Sequence, residues 1–187
     1  MTDERPAELV VIETARLRLR NLSLDDAADQ HAYACDPEVA LPGMWDPIPT
    51  LDENRLDLIE TLARQVRGES MEWGIERVAD ERLIGRCGFV RFRAAHMNGE
   101  LGYALARPHW RHGYMTEAVT AVLAYGFERL GLHRAEAICL ADNTASRRLL
   151  ERMGFRLEGN AREAFLQDGS YKDLSRYALL KDEWLTS

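Results

Sequence analysis

The chain has 187 residues, 46% of them hydrophobic and 29% charged, with a formal net charge of −7. That length and composition suit one globular domain with a real core and exclude a disordered chain. The acidic balance argues against a general nucleic-acid binder, which needs a basic face, and mildly suits a cationic or amine partner.

Cys35, Cys87 and Cys139 are odd in number and far apart. They match neither a disulfide framework nor a zinc pattern and read as reduced thiols of a cytoplasmic protein. The charged start MTDERPAE has no signal-peptide pattern, and no apolar run approaches about 18 residues, so no membrane span is expected.

Residues 1–12 are expected to form an N-terminal tail, loose over 1–8, and residues 13–184 a single domain. RLRLR (Arg16 to Arg20) alternates as a half-buried strand does, with its arginines expected on a solvated face. Ser23 and Asp26 have the spacing of a capping box and open a helix over about 24–35. ALPGMWDPIPT (Ala40 to Thr50) is a loop. Thr50 and Glu53 repeat the capping spacing, and Leu51, Leu58, Ile59, Leu62 and Val66 keep helical periodicity up to Gly68.

MEWGIERV (Met71 to Val78) and RLIGRCGFVRFR (Arg82 to Arg93) read as strands. Asn98-Gly99 is a hairpin-type turn signal ahead of a third strand, ELGYALA (Glu100 to Ala106), which Pro108 stops. Thr116 to Leu130 is an amphipathic helix that Gly131 can close, and RAEAICL (Arg134 to Leu140) is a strand. Asn143 caps a short helix closed by Gly154. Strands follow near Phe155–Glu158 and Lys172–Leu180, with Asp168-Gly169 as a turn. The order gives a mixed α/β (α+β) fold, one sheet with helices packed on it.

WRHGYMTEA (Trp110 to Ala118) joins a strand to a helix. Loop amides and the helix N-terminus point the same way and form an anion site. Gly113 lets the backbone approach a ligand, and Arg111 can reach phosphate oxygens. The stretch is neither GxxxxGK[ST] nor GxGxxG, which disfavours a nucleotide-binding domain. On this stretch alone, a phosphate site and an ordinary turn glycine fit equally.

The whole chain, however, resembles a known family. WRHGYMTEA is similar to the acyl-CoA pyrophosphate loop of GNAT-family N-acetyltransferases, in the form found in the ribosomal-protein N-terminal acetyltransferase branch. ETARLRLRNLSLDDA (Glu13 to Ala27), LIGRCGF (Leu83 to Phe89), ELGYAL (Glu100 to Leu105), NTASRRLLERMGFRLEG (Asn143 to Gly159) and YKDLSRYALLKDEW (Tyr171 to Trp184) resemble that branch in the same order. Trp110, Arg111 and Met115 depart from the usual loop, and Met115 is bulkier than the common residue there. The resemblance implies the GNAT fold: a central, mostly antiparallel sheet with helices on both faces. It also implies acetyl-CoA as cosubstrate, no metal, and an amine acceptor that is a peptide N-terminus or a small amine. Homodimers occur in this fold, and neither nucleic acid nor membrane is implied as a partner.

The resemblance further implies roles for residues. The strand Tyr103, Ala104, Leu105, Ala106 would splay from its neighbour and pair with pantetheine, a backbone N–H near Leu105 polarising the carbonyl. Arg111, His112, Gly113, Tyr114, Met115 and Thr116 would hold the pyrophosphate, and Asn143 the pantetheine arm. Glu100 is the expected general base and Ser146 the group facing the thioester sulfur. Leu150 stands where many members carry a tyrosine acid. Trp45 and Asp46, in the Pro-rich loop, are expected to contact the amine. His109 and His112 lack a third ligand for a metal, and Glu117 reads as a helix-dipole partner. The alternative readings are an acetyltransferase of a polyamine, antibiotic or metabolite, or an acyl-CoA-binding regulatory module without turnover.

Overall fold

The structure is a computed structural model and describes residues 9–186. One eight-stranded sheet runs through it, in the order β1-β2-β3-β4-β5-β6-β8-β7. The strands are β1 (Ile12–Glu13), β2 (Leu17–Asn21), β3 (Met71–Arg77), β4 (Arg82–Arg93), β5 (Asn98–Leu105), β6 (Arg134–Leu140), β7 (Arg156–Gln167) and β8 (Ser170–Leu180). The helices are α1 (Ala27–Ala34), α2 (Pro37–Ala40), α3 (Leu51–Val66), α4 (Tyr114–Ala124), α5 (Thr144–Arg152) and α6 (Lys181–Trp184). Every neighbouring pair of strands is antiparallel except β5 and β6.

The two faces of the sheet bury different things. Trp73, Ile75, Cys87, Phe89 and Leu101 point to one face and pack with Val119, Val122, Leu123 and Leu150 of α4 and α5. On the other face Leu22 and Leu83 meet Leu58 of α3, and Ala104 meets Tyr33 and Ala34 of α1. This two-sided burial removes apolar area from water on both faces of the central strands and is the main source of stability. The expected capping box forms fully at Thr50 and by half at Ser23, where Asp26 accepts from the Ser23 N–H at 2.8 Å but the Ser23 hydroxyl accepts no helix N–H. In α3 the Thr50 hydroxyl accepts from the Glu53 N–H at 3.2 Å, while Glu53 accepts from the Thr50 N–H at 3.2 Å.

Several expectations are corrected. The ordered domain starts before residue 13: Leu9 is buried, and the Asn21 side chain bonds both its N–H and its carbonyl. The expected loose segment 1–8 lies outside the described residues. The arginine stripe of β2 stays partly solvated, as expected, and in addition pairs with carboxylates. Arg20 makes a two-pronged contact with Asp26, at 2.9 and 2.7 Å, and a further one with Glu76. Asn98-Gly99 lies inside β5. The turn is made one step earlier by Met97, with φ 46°, and Gly99 is needed because a side chain there would strike the Phe89 ring. The helix expected over Thr116–Leu130 starts at Tyr114 and relaxes into a π-helical turn at Tyr125–Arg129. That wider turn seats Gly126 against Phe89 and Leu132. β7 and β8 run longer than expected; most of β7 is exposed and carries no apolar alternation, so its letters do not mark its full length as strand.

Candidate active site at the parting of two strands

The parallel pairing of β5 with β6 runs from Asn98↔Arg134 to Leu101↔Ala137 and stops. Gly102–Leu105 and Ile138–Leu140 continue beyond it, bordering a wedge about 10–13 Å long at the usual strand rise. Strand alternation decides what faces the wedge. The Ala106 N–H donates to the Ile84 carbonyl on β4 at 2.8 Å. Leu105, one residue earlier, therefore turns its N–H and C=O away from β4 and into the wedge. The Trp110 indole N–H donates to that carbonyl at 2.7 Å, so Leu105 presents its N–H.

Across the wedge the Tyr103 and Ser146 hydroxyls meet at 2.6 Å. Burial pushes the Tyr103 phenol up, against the lowering effect of the Ser146 hydrogen bond, so it stays protonated. Either hydroxyl can donate across this contact; where the phenol, the better donor, gives its proton, Ser146 keeps its own to direct. The Cys139 thiol, pushed up by burial, lies beside Ser146. Asn143 is already engaged: its Oδ1 accepts from the Ser146 N–H at 3.0 Å and its Nδ2 donates to the Pro42 carbonyl at 3.1 Å. It caps α5 and ties it to the 40s loop. Leu150 is fully buried in the core, and its position supplies no donor.

The loop before α4 is exposed at Arg111, His112 and Gly113. Arg111 has φ 62° and Gly113 φ 80°, a curl that only the second residue adopts without strain. Gly113 is the N-cap of α4 and brings no capping side chain. The amides of Tyr114, Met115 and Thr116 thus belong to an open helix start, which favours an anion. The loop is braced from behind. Arg16 donates to the His112 carbonyl at 2.9 Å and pairs with Glu117 at 2.6 Å. Glu117 also accepts from the Thr14 hydroxyl at 2.6 Å and the Arg16 N–H at 2.9 Å. Burial works to raise the Glu117 pKa, but these hydrogen bonds outweigh it and hold the carboxyl below its usual range. The Tyr114 ring lies under the Arg16 guanidinium, 4.6 Å away, and stacks on His112. Glu117 therefore does more than favour the helix dipole: it clamps the loop to the start of β2.

On the opposite face, beside Ala104, lies a pocket of about 380 Å³. Trp45 and Asp46, both singled out by sequence, line it. Glu53, Asp57, Arg86, Gln30 and Tyr33 line it too and were missed. Arg86 is the β4 partner of Ala104. It carried one legible signal, a charge in the middle of the apolar strand LIGRCGF. Asp57 accepts from Gln30 Nε2 at 3.0 Å. Asp46 and Glu53 are exposed, Asp57 half-buried.

Glu100 does not join this group. It pairs with Arg91 at 3.0 Å and sits four residues before Ala104 on β5, about 13 Å away along an extended strand. Among the described residues no three His, Cys, Asp or Glu side chains are grouped to hold a metal ion, and no helix is long and apolar enough to cross a membrane.

Comparison with known proteins agrees with this layout. Residues 16–156 match the family model described as "Acetyltransferase (GNAT) domain". A Bacillus subtilis (strain 168) protein named "Uncharacterized N-acetyltransferase YoaA" is 36% identical, over 91% of this chain and 97% of its own. The "[Ribosomal protein uS5]-alanine N-acetyltransferase" of Escherichia coli (strain K12) is 29% identical over 75% of each chain. RimL, a ribosomal alpha-N-protein acetyltransferase solved in complex with coenzyme A, shares the fold with a TM-score of 0.84 at 22% identity, over 93% of this chain and 99% of that one. A strand pair that parts after Leu101, an open helix start beside it and a sequence match across most of the chain lead to one conclusion: this protein is an acetyltransferase of the GNAT family.

Proposed function

We propose that the protein transfers an acetyl group from acetyl-CoA to a primary amine by direct attack in a ternary complex. The observation that carries this reading is the Leu105 N–H aimed into the wedge, in line with the open start of α4. The residues fit the cosubstrate. The amides of Arg111 to Thr116 hold the pyrophosphate, while Tyr103 to Ala106 pair with the pantetheine arm along the unpaired edge of β5. Asn143 supports the arm indirectly, by fixing α5 through its two hydrogen bonds.

The Leu105 N–H stabilises the thioester oxygen as charge builds on it. The acceptor enters from the opposite face, through the pocket of Trp45, Asp46, Asp57 and Arg86. Its ammonium is drawn by three lining carboxylates and must shed a proton before attack. Asp57, less exposed than Asp46 and Glu53, carries that proton away, directly or through water. We assign the role here rather than to Glu100, which lies well down β5 from the pocket and is held by Arg91 at 3.0 Å, whereas Asp57 faces Arg86 at a looser 3.6 Å. Attack on the carbonyl carbon forms the amide and expels the thiolate. Ser146, oriented by Tyr103, donates a hydrogen bond to the sulfur. A serine hydroxyl is too weak an acid to protonate a thiolate outright, so this bond stabilises the leaving group and solvent supplies the proton.

The reduced thiols agree with the cytoplasm as the working compartment. Similarity to the uS5-alanine enzyme supports a peptide N-terminus as acceptor, with a small amine as the second reading. The first test is a thermal-shift titration with acetyl-CoA, with ATP and NAD as controls. At about a hundredfold excess over its dissociation constant a ligand adds roughly 2.7 kcal/mol. A selective rise of roughly 5–10 °C is expected. No rise with acetyl-CoA, or a rise with ATP or NAD, overturns the cosubstrate.

A further inference from the structure

A pocket that takes an ammonium ion has no use for a guanidinium, yet Arg86 stands in its wall. Its own partners do not account for it. The nearest carboxylates, Asp57 and Glu72, are 3.6 and 3.9 Å away, ion pairs too long to be hydrogen bonds. Among the described residues none of the five guanidinium N–H donors closes on an oxygen at hydrogen-bond distance. The side chain is only 22% exposed, so water solvates it poorly. Its second neighbour is the Trp45 ring, 6.0 Å from the guanidinium carbon, a flat surface that orients the fork toward the pocket. The floor is also short of partners. Tyr33 OH and Gln30 Oε1 are buried with no hydrogen-bond partner among the described residues, a state that native interiors rarely keep. The pocket is thus incomplete as a closed structure. For the Arg86 donors the missing partner is a ligand oxygen placed beside the cation that the carboxylates attract; Gln30 Oε1, which only accepts, suits that cation's N–H instead.

We propose that Arg86 determines acceptor specificity by binding an oxygen on the carbon next to the amine-bearing carbon. The acceptor is then an α-amino carbonyl compound rather than a plain alkylamine. A peptide N-terminus brings a carbonyl oxygen there and a free amino acid a carboxylate; both present the same chemistry to the fork. Polyamines have no such oxygen and meet only repulsion from Arg86. The inference rests on the reading above that this pocket holds the acceptor.

The test compares alanine amide, alanine and isopropylamine, which share an amine-bearing carbon and a methyl group and differ in the oxygen. kcat/KM is measured by thiol release at saturating acetyl-CoA and expressed per neutral amine, because the three amines ionise differently. In the wild type the better of the two oxygen-bearing amines should exceed isopropylamine by roughly 10–100-fold, the range of a hydrogen bond to a charged group. Arg86→Gln should remove most of that preference. Arg86→Lys keeps the charge that faces Glu72 and Asp57, so it guards against loss of fold, and should still lower the preference roughly tenfold. A lead for alanine amide points to peptide ends and a lead for alanine to free amino acids; either supports the proposal. Isopropylamine matching the other two in the wild type overturns it, as does an equal loss for all three amines in both variants. Calorimetric titration of the same amines reads the role of Arg86 without turnover. Loss of acetyl-CoA binding by the wild type therefore sinks the cosubstrate reading alone.

Discussion

The two halves of the proposed site are made of different material. The cosubstrate half is backbone: the Leu105 N–H, the left-handed curl at Arg111 and Gly113, and the open start of α4. The acceptor half is side chain: Asp57 from α3, Arg86 from β4, Gln30 and Tyr33 from α1, and Trp45 from the loop between α2 and α3. A backbone site binds one shape of ligand and tolerates changes in most of its residues, because amides are the same in every residue. A side-chain site can be altered one residue at a time, which lets the acceptor vary while the chemistry stays.

Substitutions should separate the halves. The largest effect is expected from Asp57→Asn. If this carboxylate carries the amine proton away, kcat/KM for the acceptor falls by about 100-fold, while the acetyl-CoA dissociation constant measured by calorimetry stays within about twofold. Equal losses in both constants would break the division. Gly113→Val acts on the other half. A β-branched residue at φ 80° costs on the order of 1–3 kcal/mol. Acetyl-CoA affinity should drop by roughly 10–100-fold, with acceptor selectivity unchanged.

Ser146→Ala should lower kcat by about tenfold, and Tyr103→Phe by less, because Tyr103 acts through Ser146. In the double variant Tyr103→Phe should add little beyond Ser146→Ala, and full additivity would refute the relay.

Glu117→Gln tests the brace rather than the chemistry. The folded carboxyl titrates below its ordinary range. Its contribution is therefore complete above the unfolded-state pKa and is lost as pH falls through the folded one. Urea melts should show the variant about 1–2 kcal/mol less stable near neutral pH, with the gap closing as pH falls below about 4. A gap that persists at low pH would mean the loss is packing, not charge. The smallest effect belongs to Glu100→Gln, expected to change kcat/KM by less than about threefold. A hundredfold loss there would return the base to Glu100.

The difference between the halves also explains what could be read in advance. WRHGYMTEA was legible because left-handed residues, a helix start and a basic neighbour are local, and a local motif survives as a string of letters. Capping at Ser23, Thr50 and Asn143 was legible for the same reason. Glu100 was read without its partner, because Arg91 meets it only across a bulge in β4. That Leu9 belongs to the core was not legible because it is held by Asn21 and by its burial, neither of which adjacent letters reveal.

By itself, then, the sequence determined most of the elements, the family and the local curl and helix start at Arg111 to Tyr114, since each depends on residues within a few positions of one another. Only the tertiary structure assembled the pocket proposed for the acceptor. Asp57, Arg86 and Gln30 come from three elements spread over residues 27–93 and meet because α1 and α3 pack on the face of the sheet that carries Arg86. Long-range packing brings Arg86 to 3.6 Å and the Gln30 amide to 3.0 Å from the Asp57 carboxylate, and no spacing along the chain encodes those distances.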